Sequence, residues 1–201
     1  SWAVWNAAQA CGKSGKSLLT SATEHHSLLN ACAGTEAFGV KTGILPVDNQ
    51  GTVRLGELEK RLHTGVEMVS VQYANNETGT IQPVKEIAAL CRERKVWFHT
   101  DAVQAVGHIP VGIENGIALL SASAHKFGGP KGIGFLYASR NVRLHPLVYG
   151  GGQERGVRGG TENVAAIVGM AHAFRKALEK REERAERLRG MEQIFREELL
   201  C

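Results

Sequence analysis

Short apolar segments alternate with helical segments along most of this chain of 201 residues. Strands are predicted at residues 18–22, 40–47, 68–73, 96–99, 118–123, 134–137 and 147–149. The spacing of apolar residues predicts helices at residues 1–10, 27–37, 55–63 and 84–94. Strands that alternate with helices favour an α/β fold, in which right-handed crossovers place helices on the faces of a mostly parallel sheet.

Polar side chains suited to chemistry follow several of these predicted strands. His25, Asn76, Asp101 and Lys126 each lie soon after an apolar segment. In open parallel sheets, ligands bind beyond the carboxyl ends of the strands. The common placement of these four residues therefore predicts a binding site at one edge of the sheet.

The pairing of Lys126 with Asp101 indicates the kind of ligand. Lys126 follows His125 and precedes a glycine-rich turn, and Asp101 ends an apolar segment upstream of it. A pyridoxal 5'-phosphate (PLP) site requires a lysine that forms a Schiff base and a separate carboxylate that keeps the pyridine nitrogen protonated. The alternative for the lysine segment alone is an exposed hairpin turn, but its combination with Asp101 favours the cofactor site.

Five motifs extend this pattern over essentially the whole chain. They are TEHHS at residues 23–27, NNETG at 75–79, HTDAVQ at 99–104, SAHKFGGP at 123–130, and GGGQER with RGGTEN within 150–163. In order and spacing these motifs resemble those of cysteine desulfurases, which belong with the selenocysteine lyases to the class V aminotransferase group of fold-type I PLP enzymes. The resemblance implies the large cofactor-binding domain of that fold and PLP as the cofactor.

The resemblance assigns the catalytic roles to Lys126 and His25. Lys126 is similar to the Schiff-base lysine, and His25 resembles the histidine that stacks on the pyridine ring and shuttles a proton. A structural histidine is the alternative for His25. Asp101 would pair with the ring nitrogen. Gln104 would donate to the phenolate oxygen, if a helical turn after Asp101 brings both side chains to one side.

Four further residues are predicted to bind the cofactor. Ser123 and His125 would bind its phosphate from one face of an extended segment. Asn76 would contact cofactor and substrate, with a turn asparagine as the alternative. Thr161 resembles the threonine that reaches the phosphate of the neighbouring subunit in a dimer, although a helix N-cap would also suit this position.

The predicted domain organisation is that of a central fragment. Residues 1–174 would form the PLP-binding domain, and residues 175–201 would belong to one long helix, starting at residue 162, that leads to a small domain. The resemblance places an N-terminal segment, the small domain and the nucleophilic cysteine outside this chain. Four cysteines are present, of which three are expected to be buried in helices or turns and the last to end the long helix: Cys11, Cys32, Cys91 and Cys201. We therefore expect no desulfurase turnover by this chain alone.

The reaction implied for the full-length enzyme removes sulfur from L-cysteine. Its products would be L-alanine and a protein persulfide used for iron–sulfur cluster or thio-cofactor synthesis. The resemblance also implies a homodimer and a sulfur-acceptor or scaffold protein as partner. Two alternatives stay open: a selenocysteine lyase or other class V lyase or aminotransferase, and a truncated, non-catalytic homologue that acts through partner binding.

The composition argues against other classes of protein. A net charge of +4 with scattered charges gives no reason to expect nucleic-acid binding. The histidines lack metal-site spacing and no apolar run is long enough to cross a bilayer, so neither a metal nor a membrane partner is expected. Isolated cysteines and the lack of a signal peptide favour the reducing cytoplasm.

One segment imitates a phosphate loop. The letters GKSGKS occupy residues 12–17, but Ala10 stands where the motif has its first glycine. The segment also lies between a helix and a strand, whereas a phosphate loop runs from a strand into a helix. We therefore predict a flexible basic surface turn.

Overall fold

The computed structural model describes residues 2–63, 65–113 and 116–199, without the side chains of residues 12–14. Its helices are α1 (Trp2–Ser14), α2 (His26–Thr35), α3 (Leu55–Arg61), α4 (Val84–Glu93), α5 (Val164–Glu179) and α6 (Arg181–Leu199). Its strands are β1 (Ser17–Ser21), β2 (Thr42–Leu45), β3 (Val66–Ser70), β4 (Trp97–Asp101), β5 (Leu119–Ser123) and β6 (Gly134–Ala138). Single 3-10 turns cover Glu36–Phe38, Ala124–Phe127 and Gln153–Gly156.

The six strands form one sheet in the order β2-β1-β3-β4-β5-β6. All pairs from β2 to β5 are parallel. The final strand is antiparallel to β5, because Ala124 N–H donates to the carbonyl of Ile133 while Ser139 N–H donates to that of Ala118. The predicted α/β fold with a mostly parallel sheet flanked by helices is therefore confirmed.

Alternation of side chains along the strands explains why helices cover both faces of the sheet. Met68 of β3 and Leu119 of β5 belong to one apolar cluster with residues of α1 and α2, and Trp97 of β4 packs against that cluster. Phe98, the next residue in β4, points to the opposite face and is fully buried. Helix α4 contacts β4 and buries Ile87, so it supplies the cover on that side.

Two predictions about the C-terminal part of the chain are wrong. The predicted strand at residues 147–149 is only an isolated bridge between Val148 and Arg158. The predicted single helix from residue 162 is two helices, because Lys180 leaves helical geometry with φ −102° and ψ 11°. No proline or glycine marks this break in the sequence. The chain does end in a long helix, as predicted, and α6 has 19 residues.

The segment that resembles a phosphate loop joins α1 to β1. Helix α1 continues to Ser14 and β1 begins at Ser17, so only residues 15 and 16 lie in the connection where the turn was predicted. Gly15 has a φ of +67°, and Lys16 Nζ lies 2.8 Å from Glu67 Oε2. Lys16 is therefore held by a carboxylate of β3.

The described residues fall into two compact units. The first lies within Ser1–Gln104, Gly112–Ala122 and Phe135–Glu162, and the second within Ala105–Val111, Ser123–Gly134 and Asn163–Cys201. The boundary at residue 174 between a cofactor domain and a connecting helix stays a prediction. None of the described helices has the length and apolarity needed to cross a membrane.

Candidate cofactor site

The first unit carries four of the predicted site residues at or just beyond the carboxyl ends of neighbouring strands. Strands β1, β3 and β4 are adjacent and parallel, so their carboxyl ends share one edge of the sheet. His25 follows β1, Asn76 follows β3, and Asp101 is the last residue of β4 with Gln104 just beyond it. The structure thus confirms that these loops meet at one edge, as expected for a parallel sheet.

Asp101 presents a carboxyl group that is only partly exposed. Its Oδ1 accepts a 3.0 Å hydrogen bond from the backbone N–H of Val103. Burial raises the pKa of this carboxyl above its ordinary value, while the bond to Val103 and the charge of His25 act in the opposite direction. A cationic partner would favour the ionised form, which is the form that a protonated pyridine nitrogen requires.

Gln104 lies among turns rather than in a helix, and its placement on the same side as Asp101 stays a prediction. Residues 103–108 form a series of turns, and Ala105 O accepts from the backbone N–H groups of His108 and Ile109. The Asp101 carboxylate accepts a hydrogen bond from the backbone N–H of Val103 at the start of these turns, as an N-cap side chain does at the start of a helix. Gln104 is partly buried.

His25 has a local structural role as well as an exposed ring. Its Nδ1 accepts a 3.1 Å bond from the backbone N–H of Ser27 and so caps α2. Because Nδ1 is an acceptor, the proton of the neutral ring resides on Nε2. His25 therefore offers one N–H donor outward while its other nitrogen fixes the ring against the helix.

The asparagine that shapes the loop after β3 is Asn75, not Asn76. Its Oδ1 accepts 2.8 Å bonds from the backbone N–H groups of Glu77 and Thr78. Its Nδ2 donates to the carbonyl of Thr23 at 2.9 Å. Asn76 is exposed, so the turn role considered for it belongs to its neighbour.

The second unit carries Lys126 on a 3-10 turn that follows β5 directly. The expectation that Ser123 and His125 lie in an extended segment is wrong, because the chain turns after Ser123 and ends the turn at Gly128 with a φ of +87°. The turn nevertheless brings Ser123 Oγ within 2.8 Å of His125 Nδ1. These two groups can therefore bind the same anion.

Lys126 has an exposed side chain and a held backbone. Its carbonyl accepts a 2.8 Å bond from His108 Nε2, so His108 carries its proton on that nitrogen. Phe127 packs on Phe174 of α5, with ring centroids 5.6 Å apart. Among the residues that the structure describes, no carboxylate forms an ion pair with the Lys126 amine. The amine is thus available to a ligand.

Thr161 does not cap a helix. Helix α5 begins at Val164, and its N-cap is Asn163, whose side chain accepts a 3.1 Å bond from the backbone N–H of Ala166. Thr161 is exposed two residues earlier. The local explanation that competed with its predicted role at a dimer interface is therefore removed.

The three described cysteines are buried in helices, as predicted. Burial raises the pKa of Cys11 and Cys32 to about 11 each and that of Cys91 to about 12. Cys201 lies outside the described residues. Over the ranges that the structure covers, no group of three or more metal-ligating side chains comes together.

The residues present fit PLP. An exposed lysine amine suits a covalent bond to an aldehyde, a strand-end carboxylate suits a pyridine nitrogen, and Ser123 with His125 suits a phosphate. The sheet topology and these groups define the class as the large domain of a fold-type I PLP enzyme. One solved structure, "NIFS-LIKE PROTEIN", matches with a TM-score of 0.95 and 38% identity over 99% of this chain and 55% of its own.

The chain belongs to the class-V aminotransferase family, whose model matches residues 2–196. It is 44% identical over 96% of its length to "Cysteine desulfurase IscS" of Dictyoglomus turgidum and covers 49% of that protein. It is also 44% identical to "Putative cysteine desulfurase IscS 1" of Bacillus subtilis, over 98% of this chain and 52% of that protein. The chain thus spans about half the length of these curated relatives. The family is PLP-dependent.

Several residues that organise the site were not predicted from the sequence. Glu24 is buried and joins the end of β1 to Gln72, His99 bridges two serines inside the sheet, and His108 holds the carbonyl of Lys126. Glu24 and His99 stand in the motifs that carried His25 and Asp101. The motifs could have pointed to them, but no local pattern shows that a charged or polar residue beside a strand is buried.

Proposed function

We propose that this chain is the PLP-binding portion of a cysteine desulfurase, with Lys126 holding the cofactor covalently. The observation that carries the proposal is the Lys126 turn, which combines an exposed amine, a fixed backbone and the adjacent Ser123–His125 pair. The whole enzyme would take sulfur from L-cysteine, release L-alanine and pass the sulfur on for iron–sulfur cluster or thio-cofactor synthesis. The relatives named above and the neighbour titled "SspA in complex with cysteine" support this substrate.

Each predicted site residue has a role in the proposal. When bound, PLP would supply an electron sink for bonds at the substrate's α-carbon. Asp101 would hold a proton at the pyridine nitrogen, and Gln104 and Asn76 would orient the ring. His25 would present its Nε2 proton to the ring or the substrate, because Nδ1 is occupied by Ser27.

The phosphate would be bound from two subunits. Ser123 Oγ and His125 would bind it within one subunit, and the exposed Thr161 would reach it from the other subunit of a homodimer. A sulfur-acceptor or scaffold protein would be the further partner. Buried cysteines suit a reducing compartment, and the proposal retains the cytoplasm as the location.

The attacking thiol would not be Cys11, Cys32 or Cys91. Each is buried, and a pKa of about 11 or 12 leaves almost no thiolate at neutral pH. We expect the 201-residue chain by itself to release no alanine from L-cysteine at an enzymatic rate. Alanine release at the rate of an intact desulfurase would contradict this part of the proposal.

The deciding experiment is the visible absorbance of the purified chain after addition of PLP and dialysis. We expect a retained absorbance band that disappears in Lys126→Ala and persists in Lys131→Ala. Lys131 is the matched control, because it is an exposed lysine five positions further along the same segment. Loss of the band by dialysis from the unsubstituted chain, or an equal band in Lys126→Ala, would overturn the proposed role of Lys126.

A further inference from the structure

A set of hydrogen bonds joins the loop after β1 to the loop after β3, and we name it the β1–β3 clasp. It consists of Ser21, Thr23, Glu24, Gln72 and Asn75. Glu24 Oε1 accepts from Ser21 Oγ at 2.8 Å and from the backbone N–H of Gln72 at 2.7 Å. The carbonyl of Thr23 accepts from Gln72 Nε2 at 2.6 Å and from Asn75 Nδ2 at 2.9 Å. The clasp thus connects the chain segments immediately before His25 and Asn76.

We propose that Glu24 is a positioning residue that keeps the His25 loop against the end of β3 while it holds a proton, and that its ionisation opens the clasp. The inference rests on the proposed function for its consequence, because His25 and Asn76 are the site residues that the clasp would position. Glu24 itself is not proposed to touch cofactor or substrate.

The surroundings of Glu24 disfavour a charge. The residue is only 6% exposed, and within the described part of the chain its Oε2 has no hydrogen-bond partner. Burial makes the ionised carboxylate costly, and the two hydrogen bonds that Oε1 accepts in either protonation state offset only part of this cost, so the neutral carboxyl is favoured in the closed clasp. The proton is therefore part of the closed arrangement.

Two titratable groups on neighbouring elements interact with Glu24. The charge of Asp101, at the end of β4, raises the pKa of Glu24. The charge of Glu24 in turn raises the pKa of the Cys32 thiol in α2. The Cys32 thiol is neutral at ordinary pH because burial raises its pKa to about 11. Asp101 is therefore the charge that matters, and an ionised Glu24 would oppose the ionisation of the carboxylate proposed to face the pyridine nitrogen.

The direction of the pH dependence follows from these contacts. Burial raises the pKa of Glu24 to about 7, whereas the group would titrate near 4.5 once exposed. The closed clasp therefore binds a proton more tightly than the open one. The stabilisation of the closed clasp by this proton is complete below pH 4.5 and is lost progressively as the pH rises through 7. The equilibrium constant for opening should therefore rise by about tenfold or more between pH 5 and pH 7.

Amide hydrogen exchange of the purified chain without cofactor tests the proposal. We expect the protection factors of residues 22–30 and of the Gln72 amide to fall by about tenfold or more between pH 5 and pH 7. Glu24→Gln should hold protection constant over this range, because its Oε1 can still accept both bonds and it cannot ionise. Glu93→Gln, at an exposed carboxylate of α4, should behave like the unsubstituted chain.

A second variant keeps the test decisive if Glu24→Gln folds poorly. The bond from Ser21 lowers the pKa of Glu24, so Ser21→Ala should move the loss of protection to higher pH. Protection that is independent of pH in the unsubstituted chain, or equally dependent in Glu24→Gln, would overturn the proposal. Because no cofactor is present, a clasp that opens with pH in a chain that fails to retain PLP would leave this inference standing and remove the proposed function alone.

Discussion

Ser70 Oγ and His99 Nδ1 lie 2.7 Å apart inside the sheet, between β3 and β4. The other ring nitrogen of His99, Nε2, lies 2.9 Å from Ser121 Oγ of β5. The imidazole thus joins three adjacent strands on the face that also presents Asp101, two residues further along β4. Its ring is 1% exposed, and both of its nitrogens have partners.

His99 should make the fold sensitive to acid. Burial lowers the pKa of His99 to about 3 from an ordinary value of 6.5, so the folded protein keeps this ring neutral. The stability that depends on the neutral ring is present above pH 6.5 and is lost as the pH falls towards 3, by at most about 1.4 kcal/mol per pH unit. Urea unfolding of the chain and of His99→Gln between pH 4 and pH 7 measures this effect.

The informative quantity is the difference in unfolding free energy between the two proteins. Glu24 stabilises the fold as the pH falls from 7 to 4.5, so it masks part of the loss from His99 in either protein alone. The unfolding free energy of the unsubstituted chain should exceed that of His99→Gln by less as the pH falls. His172→Gln, at an exposed histidine, is the control and should give a constant difference. A constant difference for His99→Gln would mean that the ring takes up a proton equally readily in the folded and the unfolded chain, so that burial does not lower its pKa.

The cysteines of the helices should resist thiol reagents in the folded chain. Cys11, Cys32 and Cys91 are buried, and their raised pKa values suppress the reactive thiolate at pH 8. Labelling with iodoacetamide followed by peptide mass analysis should find these three sites unmodified in buffer and modified in urea. Rapid labelling of Cys91 in buffer would show that α4 opens readily, since Cys91 has the highest pKa and no exposed surface.

The sequence predicted most of the sheet because each strand is a short apolar run between helical segments. It predicted that His25, Asn76 and Asp101 each follow a strand and lie at one edge, because parallel strands all end at the same edge. Boundaries were harder: β4 extends to Asp101, although the apolar run stops at Phe98, because pairing with β5 continues through Asp101. Local hydrophobicity does not report hydrogen bonds from a neighbouring strand.

The buried polar contacts could not be predicted from local patterns. Glu24 lies in a polar stretch and His99 ends a predicted strand, and both are residue types that are more often found at the surface. Their burial depends on partners that are distant in sequence, such as Gln72 and Ser121. The end of α5 at Glu179 could not be predicted either, because the charged residues around Lys180 have good helix propensity and no cap residue marks the break.

Thr161 and Asn163 are both residue types that can cap a helix, but only Asn163 caps α5. Asn163→Ala removes the bond to Ala166 N–H and should lower the unfolding free energy by about 1 kcal/mol. Thr161→Ala should leave the stability of the monomeric chain unchanged, because this exposed side chain caps nothing. Urea unfolding at low protein concentration checks both. A loss of stability in Thr161→Ala comparable to that in Asn163→Ala would indicate that Thr161 caps the helix.

Gly107 is required by close packing beside the lysine turn. A Cβ at this position would lie 2.8 Å from Phe127 Cβ and 3.0 Å from Ala177 Cβ, and the residue has a φ of +82°. Gly132 has a nearly equal φ of +80° but open space around it, so Gly132→Ala measures the backbone cost alone, about 1 kcal/mol. Gly107→Ala should cost about 1–3 kcal/mol more, because either Phe127 or α5 must move.

Since Phe127 follows Lys126 and His108 follows Gly107, the same change should weaken the bond from His108 to the Lys126 carbonyl. Urea unfolding gives the stabilities, and PLP retention after dialysis should fall in Gly107→Ala more than in Gly132→Ala. Equal stability losses in the two variants would show that the contact with Phe127 relaxes freely and does not fix the turn.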